Sequence, residues 1–217
     1  MLAMNRRSSS RPRRGNPKNV APPAAGHKGS GKLRIIGGEY RRRLLPILDS
    51  PGLRPTPDRV RETLFNWLAQ ACPGASVLDL YAGTGALGLE ALSRGARAAC
   101  FVEKNPAVSR ALKDNLNTLD ARGEVVAADA AAFLEGPASP YDLVFLDPPF
   151  RQDLAAVSCH ALENRGWLAA VAYIYVETEH ELEPDVPASW ERHREVRAGD
   201  STGRLYRRTA SPPSDGC

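Results

Sequence analysis

From Ala75 onward, short apolar runs alternate with stretches whose apolar residues recur every three or four positions. The runs Ser76–Leu80, Ala98–Glu103, Glu124–Ala128, Tyr141–Asp147 and Tyr173–Glu177 predict strands, and helices are expected at about 86–94, 105–119, 130–135 and 153–165. Strands alternating with helices imply βαβ units, and hence a parallel sheet covered on both faces. The end of the chain breaks the rhythm. Trp190–Val196 and Gly203–Arg208, joined by Ala198-Gly199-Asp200-Ser201-Thr202, predict two antiparallel strands. The expected fold is a doubly wound α/β sheet finished by an antiparallel hairpin.

The segment ahead of Ala75 is patterned differently. Leu33-Arg34-Ile35-Ile36 and the stretch Tyr40 to Leu45 flank Gly37-Gly38, which predicts a hairpin. Its second arm is expected to carry Arg41, Arg42 and Arg43, either as a charged edge that resists aggregation or as a surface that grips phosphate. A Pro/Gly loop covers 49–56. Thr56-Pro57 then opens a helix, with Thr56 as N-cap, Pro57 in the first turn and Asp58 near the positive helix end. Val60, Leu64, Trp67 and Leu68 share one face of it, Arg59 and Arg61 lie elsewhere, and Pro73-Gly74 ends it.

Composition adds the boundaries. Residues 1–32 are rich in Arg, Ser, Pro and Gly and poor in large apolar side chains, so a disordered basic tail is expected there. An organellar transit peptide, a solvated extension (Met4 is an alternative start) and an arm that finds nucleic acid all fit that composition. A hairpin-helix extension is expected over 33–74, the main domain over 75–209 and a frayed end over 210–217. The net charge of +4 hides a division: residues 1–38 hold nine Lys or Arg and no acid, and the remainder is net acidic. The apolar run Leu168 to Val176 is too short to span a bilayer. Cys72, Cys100, Cys159 and Cys217 are scattered, which disfavours a disulfide scaffold and fits a reducing, cytoplasmic setting. His27, His160, His180 and His193 have no ligand spacing with them, so no metal is expected.

Two constellations carry chemistry. In the first, the strand Val77-Leu78-Asp79-Leu80 runs through Tyr81-Ala82 into Gly83-Thr84-Gly85 and a helix containing Gly88. Paired glycines let a ligand approach the helix N-terminus at the carboxyl edge of the sheet. Gly83, Gly85 and Gly88 satisfy the dinucleotide spacing, and Glu103 follows Gly83 by 20 residues, which alone would favour NAD. Asp79 argues otherwise. A carboxylate there repels a pyrophosphate and suits a cation, such as the sulfonium and ammonium of S-adenosylmethionine. Glu103 suits ribose hydroxyls under either cofactor. Asp129 is placed either to accept from an adenine amino group or simply to cap the short helix after it.

The second constellation, Asp147-Pro148-Pro149-Phe150, follows the strand Leu143-Val144-Phe145-Leu146. Paired prolines donate no N–H and leave carbonyls free beside a carboxylate, a set of acceptors for an exocyclic NH2. Phe150 offers a face on which a base can stack, unless it is a core residue below a rigid loop. Together with Asp79 and the glycines, this tips the reading to S-adenosylmethionine.

Asp79, Gly83, Gly85, Glu103 and Asp147-Pro148-Pro149-Phe150, in that order, resemble the class I methyltransferases that modify exocyclic amino groups of bases. Leu33 to Gly38 and the block Ser50-Pro51-Gly52-Leu53-Arg54-Pro55-Thr56-x-Asp58-Arg59-Val60-Arg61-Glu62-Thr63-Leu64-Phe65-Asn66-Trp67-Leu68 resemble the bacterial 16S rRNA guanine-N2 methyltransferases of the RsmD family, which act on the guanine at position 966. The likeness runs from about Leu33 to Arg208. It implies a Rossmann-like, seven-stranded class I fold with an antiparallel last strand, bound S-adenosyl-L-methionine (Asp79, Gly83, Thr84, Gly85, Glu103, Asp129), and a flipped guanine. The partner it implies is 16S rRNA within an assembled or assembling 30S subunit. The chain is expected to work as a monomer.

On that reading Asp147 and the Pro148 carbonyl would orient N2, and Phe150 would stack on the base. An ordinary carboxylate is a weak base, so orientation is expected to matter more than basicity. Arg41, Arg42, Arg43, Arg54, Arg59 and Arg61 are the candidate RNA contacts. Glu177, Glu179, Glu181 and Glu183 alternate and predict a solvated acidic rim. The competing readings are adenine N6, cytosine N4 or protein glutamine as acceptor, a NAD-dependent oxidoreductase, and a non-catalytic RNA-binding module.

Overall fold

The computed structural model describes residues 31–48, 56–150 and 153–209. The expectations for residues 1–30, for Arg54 and for 210–217 lie outside them.

The main sheet has seven strands: β3 (Ser76–Asp79), β4 (Ala98–Val102), β5 (Gly123–Val126), β6 (Tyr141–Leu146), β7 (Leu168–Glu179), β8 (Trp190–Ala198) and β9 (Ser201–Thr209). Their spatial order is β5-β4-β3-β6-β7-β9-β8. The pairs from β5 across to β7 are parallel, and β9 runs against both β7 and β8. The chain reverses direction between β3 and β6, with β4 and β5 on one side and β7 on the other. Ligands of doubly wound sheets sit above the strand ends at such a switch point.

Helices cover both faces. Strand alternation sends Val77, Phe101, Leu143, Phe145 and Tyr175 into a core with α1 (Asp58–Trp67), α2 (Ala86–Ser93) and α3 (Pro106–Leu119). It sends Leu78, Val144, Leu146, Ile174 and Val176 into a second core with α4 (Ala130–Leu134) and α5 (Leu154–Asn164). Fully buried Leu and Phe side chains contribute about 1.5–3 kcal/mol each. No helix among the described residues is long and apolar enough to cross a membrane.

The N-terminal hairpin forms, but its arms lie further out than its sequence predicts. β1 (Gly31–Arg34) takes the last two residues of the expected tail and pairs antiparallel with β2 (Leu44–Ile47). Arg41, Arg42 and Arg43 therefore belong to the connecting turn, not to an arm. The turn closes on itself through Arg42 N–H to the Ile35 carbonyl (2.9 Å), and Arg42 sits at φ 68°. Thr56 does not cap α1. The cap position falls on Pro57, and Asp58 is the first helical residue. Thr56 is buried, and its carbonyl accepts from the Arg61 guanidinium instead (3.2 Å). β7 begins at Leu168, five residues before the predicted Tyr173, because Val171 and Ala172 find partners in Thr209 and Arg208 of β9. Pairing across the sheet decides there, over the weak strand preference of an Ala-rich segment.

Candidate active site

The carboxyl ends of β3, β4, β6 and β7 bring most of the predicted site residues to one edge. The turn after β3 depends on Gly83 (φ 51°) and Gly85 (φ 75°), both in the left-handed region. Gly85 leads into α2 and packs so closely that a Cβ there would lie 2.4 Å from Leu112 Cδ1. Gly88 serves packing rather than backbone freedom. A Cβ on it would lie 2.2 Å from the Phe101 ring, so α2 can press onto β4 only over a glycine.

Glu103, just past β4, accepts from the Gly83 N–H at 2.9 Å with one oxygen and from the Asn105 N–H at 2.6 Å with the other. It thus holds the glycine turn while remaining half-exposed. Asp79 ends β3, is 3% exposed, and accepts from the Gly88 N–H at 3.0 Å. Burial, with repulsion from Glu103, pushes its carboxyl up to about 7 against that hydrogen bond. Asp129 caps α4, accepting from the Ala131 N–H at 2.9 Å. The capping alternative is thus realised, and Asp129 remains exposed.

Asp147 follows β6. Surrounding protein, then Glu177 and Asp79, raise its carboxyl well above the usual carboxylate range. This corrects the expectation of an ordinary, weak base. Pro148 is buried and Pro149 exposed. Phe150 is 41% exposed, so it is not a core residue, and its ring is open to a stacking partner. A cleft of about 230 Å³ runs beside this motif, walled by Pro148, Pro149, Leu154, Glu177, Leu182 and Pro184. The Tyr81 hydroxyl, 2.8 Å from the Ser158 hydroxyl, ties the β3 loop to α5.

Two further predictions change. Glu177 is no part of a solvated rim: it is 7% exposed, two residues inside the end of β7. Its signal was available, because an acid closing an apolar strand is what singled out Asp79, Glu103 and Asp147. Arg61 is no RNA contact. It is 1% exposed and donates to the carbonyls of Thr56 and Arg34 and to Asp58, beside Glu90. Arg41, Arg42, Arg43 and Arg59 are exposed. Arg43 also donates to the Thr118 carbonyl (3.2 Å), which anchors the hairpin turn at the end of α3.

The chain is similar to known proteins. A family model described as conserved hypothetical protein 95 matches residues 33–207. Ribosomal RNA small subunit methyltransferase D of Escherichia coli (strain K12) is 54% identical over 191 residues, 87% of this chain and 96% of that one. The chain belongs to this family. Its Haemophilus influenzae member of the same name is 44% identical over 194 residues, 87% of this chain and 98% of the relative. The family fold agrees as well. A solved structure of a putative methyltransferase, yhhF, from Escherichia coli superposes with TM-score 0.78 at 53% identity, covering 83% of this chain and all of that one. The matched span coincides with the hairpin-helix extension plus the seven-stranded sheet.

Proposed function

We propose that the protein methylates the exocyclic N2 of a guanine in 16S ribosomal RNA of the small subunit, using S-adenosylmethionine. One observation carries the reading. The site edge of a chain 54% identical to a ribosomal RNA small subunit methyltransferase D holds two carboxylates, the buried Asp79 and the part-buried Asp147, that no cation among the described residues neutralises.

The residues fit the cofactor. The Gly83–Gly85 turn is open to close approach, and Asp79 awaits a positive charge. Glu103 ends the second strand of the crevice, where ribose hydroxyls would lie, and Asp129 stands after the third. A dinucleotide would bring its pyrophosphate onto Asp79, which disfavours the oxidoreductase reading. When bound, S-adenosylmethionine supplies an electrophilic methyl on a sulfonium.

The chain's own residues prepare the acceptor. The Asp147 carboxylate and the Pro148 carbonyl accept from the two N2–H groups and turn the nitrogen lone pair toward the methyl. Once alkylated, N2 would have one proton to shed, toward Asp147 or a water. The raised affinity of Asp147 for protons assists that last step. Phe150 stacks on the flipped base and offsets part of the unstacking cost of a few kcal/mol. Arg41, Arg42, Arg43 and Arg59 would meet phosphates of the particle. The enzyme would act as a monomer on the 30S subunit in the cytoplasm.

The test is transfer of labelled methyl to unmodified 30S subunits, with naked 16S rRNA and duplex DNA alongside, followed by nucleoside analysis. N2-methylguanosine in the rRNA is the expected product. Label recovered as N6-methyladenosine, or in protein, would overturn the assignment.

A further inference from the structure

Glu177 has no task in the scheme above, yet both of its carboxylate oxygens are held by hydrogen bonds. β6 and β7 pair in parallel with Leu146 opposite Val176, so the next residues, Asp147 just past β6 and Glu177 still within β7, lie side by side. Both project on the same face, because Phe145 and Tyr175, two positions earlier, share one core. Glu177 also lines the cleft beside Pro148 and Pro149.

Its support is built for it. The Tyr175 hydroxyl donates to Glu177 Oε2 at 3.0 Å, and the Ser201 hydroxyl donates to Oε1 at 2.7 Å. Residue 203 of β9 is glycine, and a Cβ there would lie 1.9 Å from the Tyr175 hydroxyl oxygen. The tyrosine can reach its position only over that glycine. Two neutral donors fix both carboxylate oxygens and leave each with a free lone pair. No cation among the described residues pairs with Glu177. Held this way, the group is a preorganised acceptor.

Guanine presents adjacent donors, N1–H and the 2-amino group, on one edge. Adenine and cytosine present one amino group next to a ring lone pair. Neighbouring strands are about 4.8 Å apart, so acceptors on two adjacent strand ends flank neighbouring donors of one base. We propose that Glu177 reads the base: it accepts guanine N1–H while Asp147 and Pro148 hold N2. The proposal rests on the guanine-N2 function above. Adenine or cytosine in the same pose would turn a ring lone pair onto the carboxylate and be rejected. The same contact pushes electron density from N1 toward N2 and makes the amine a better nucleophile.

The test replaces the target guanine by 2-aminopurine in 16S rRNA joined from fragments and reconstituted into 30S subunits. 2-Aminopurine keeps the 2-amino group and carries a lone pair at N1. Wild-type kcat/KM should fall by about 100-fold or more on the analogue. Glu177→Gln, whose amide can donate to N1, should lose activity on guanine and narrow the guanine-to-aminopurine ratio by about tenfold or more. Binding of S-adenosylhomocysteine checks that the variant's site is intact. Wild-type turnover of 2-aminopurine within about threefold of guanine would overturn the proposal, with no variant involved. So would an unchanged ratio in a Glu177→Gln enzyme that binds S-adenosylhomocysteine. Absence of wild-type methylation on guanine itself would instead refute the proposed function, on which this inference stands.

Discussion

Two groups of buried charge face the same side of the sheet, and the fold treats them oppositely. Where the N-terminal extension meets α2, Glu90 is fully buried and accepts from the N–H groups of Ile36 (2.9 Å) and Gly37 (2.8 Å) and from Arg94 (2.7 Å). Arg61 lies 3.5 Å from it, and Asp58 pairs with Arg61 and Arg34. Hydrogen bonding from Arg34 and Arg61 holds the Asp58 carboxyl below its ordinary range against burial. Arg94 also lies 5.2 Å over the Phe65 ring. Every charge there has a partner. At the carboxyl edge, the buried Asp79 and Glu177 and the part-buried Asp147 have only neutral donors or each other. A balanced cluster is finished by the fold itself. An unbalanced one is finished by what binds.

The comparison breaks most visibly at Glu90. Glu90→Ala takes one of two carboxylates from the buried Arg61, unpairs Arg94 and frees two backbone donors. Equilibrium urea unfolding should show a loss of about 3–5 kcal/mol. A loss under about 1 kcal/mol would mean the cluster is not a weld. Asp147→Asn is the mirror experiment. Methyl transfer should fall by roughly 100-fold to 1,000-fold, with S-adenosylhomocysteine still bound. Its melting temperature should hold or rise, because the change removes repulsion by Glu177 and Asp79. A fall of several degrees would reveal a stabilising partner and erase the contrast.

The sequence was informative where one segment carried its own signal. Strand ends were legible because apolar runs stop at an acid or a glycine, and Asp79, Gly83, Glu103 and Asp147 do converge on one edge. Phe150 was left open between core and surface, which only packing decides. Arg61 was misread because its partner Glu90 lies on another helix, far along the chain. The hint was on α2, where Glu90 is the single charge in Ala86–Ser93. Glu177 was misread because its neighbours Glu179, Glu181 and Glu183 form an alternating acidic pattern. A longer β7 buries the first of the four and leaves Glu181 and Glu183 exposed. The Arg41–Arg43 turn was missed because pairing of Leu33 with Leu45 sets the register, and no glycine marks residue 42.

A smaller effect sharpens the contrast through pH. Asp79 has a folded carboxyl at about 7 against an ordinary 3.8. The folded state therefore binds this proton more tightly than the unfolded state. The free protein loses stability from this group as pH rises from about 4 to about 7. A cationic ligand beside Asp79 favours the ionised form and expels the proton. Affinity for S-adenosylhomocysteine should then rise by about tenfold between pH 6 and pH 8. Calorimetry in buffers of different ionisation enthalpy should detect proton release on binding at pH 6. A flat profile would mean that Asp79 does not face the cation.

The smallest effect concerns one exposed arginine. Arg42 holds φ 68° in the hairpin turn, a conformation that costs a non-glycine residue about 1 kcal/mol. Its side chain is exposed and does not secure the turn, whose closure is a backbone hydrogen bond to Ile35. If the turn were the only concern, glycine would serve better. Arg42→Gly should therefore stabilise the protein by about 0.5–1 kcal/mol while weakening its binding to 30S subunits. The slope of log affinity against log salt should become shallower by about one, the signature of one lost phosphate contact. Arg61→Lys, confined to the balanced cluster, should lower stability and leave that slope unchanged. If Arg42→Gly gains stability with no change in slope, the arginine does not meet RNA, and the hairpin turn is only a scaffold for β1 and β2. If the slope changes, the turn accepts strain to place a cation, and the charges that await a ligand extend from the sheet edge to the surface of the extension.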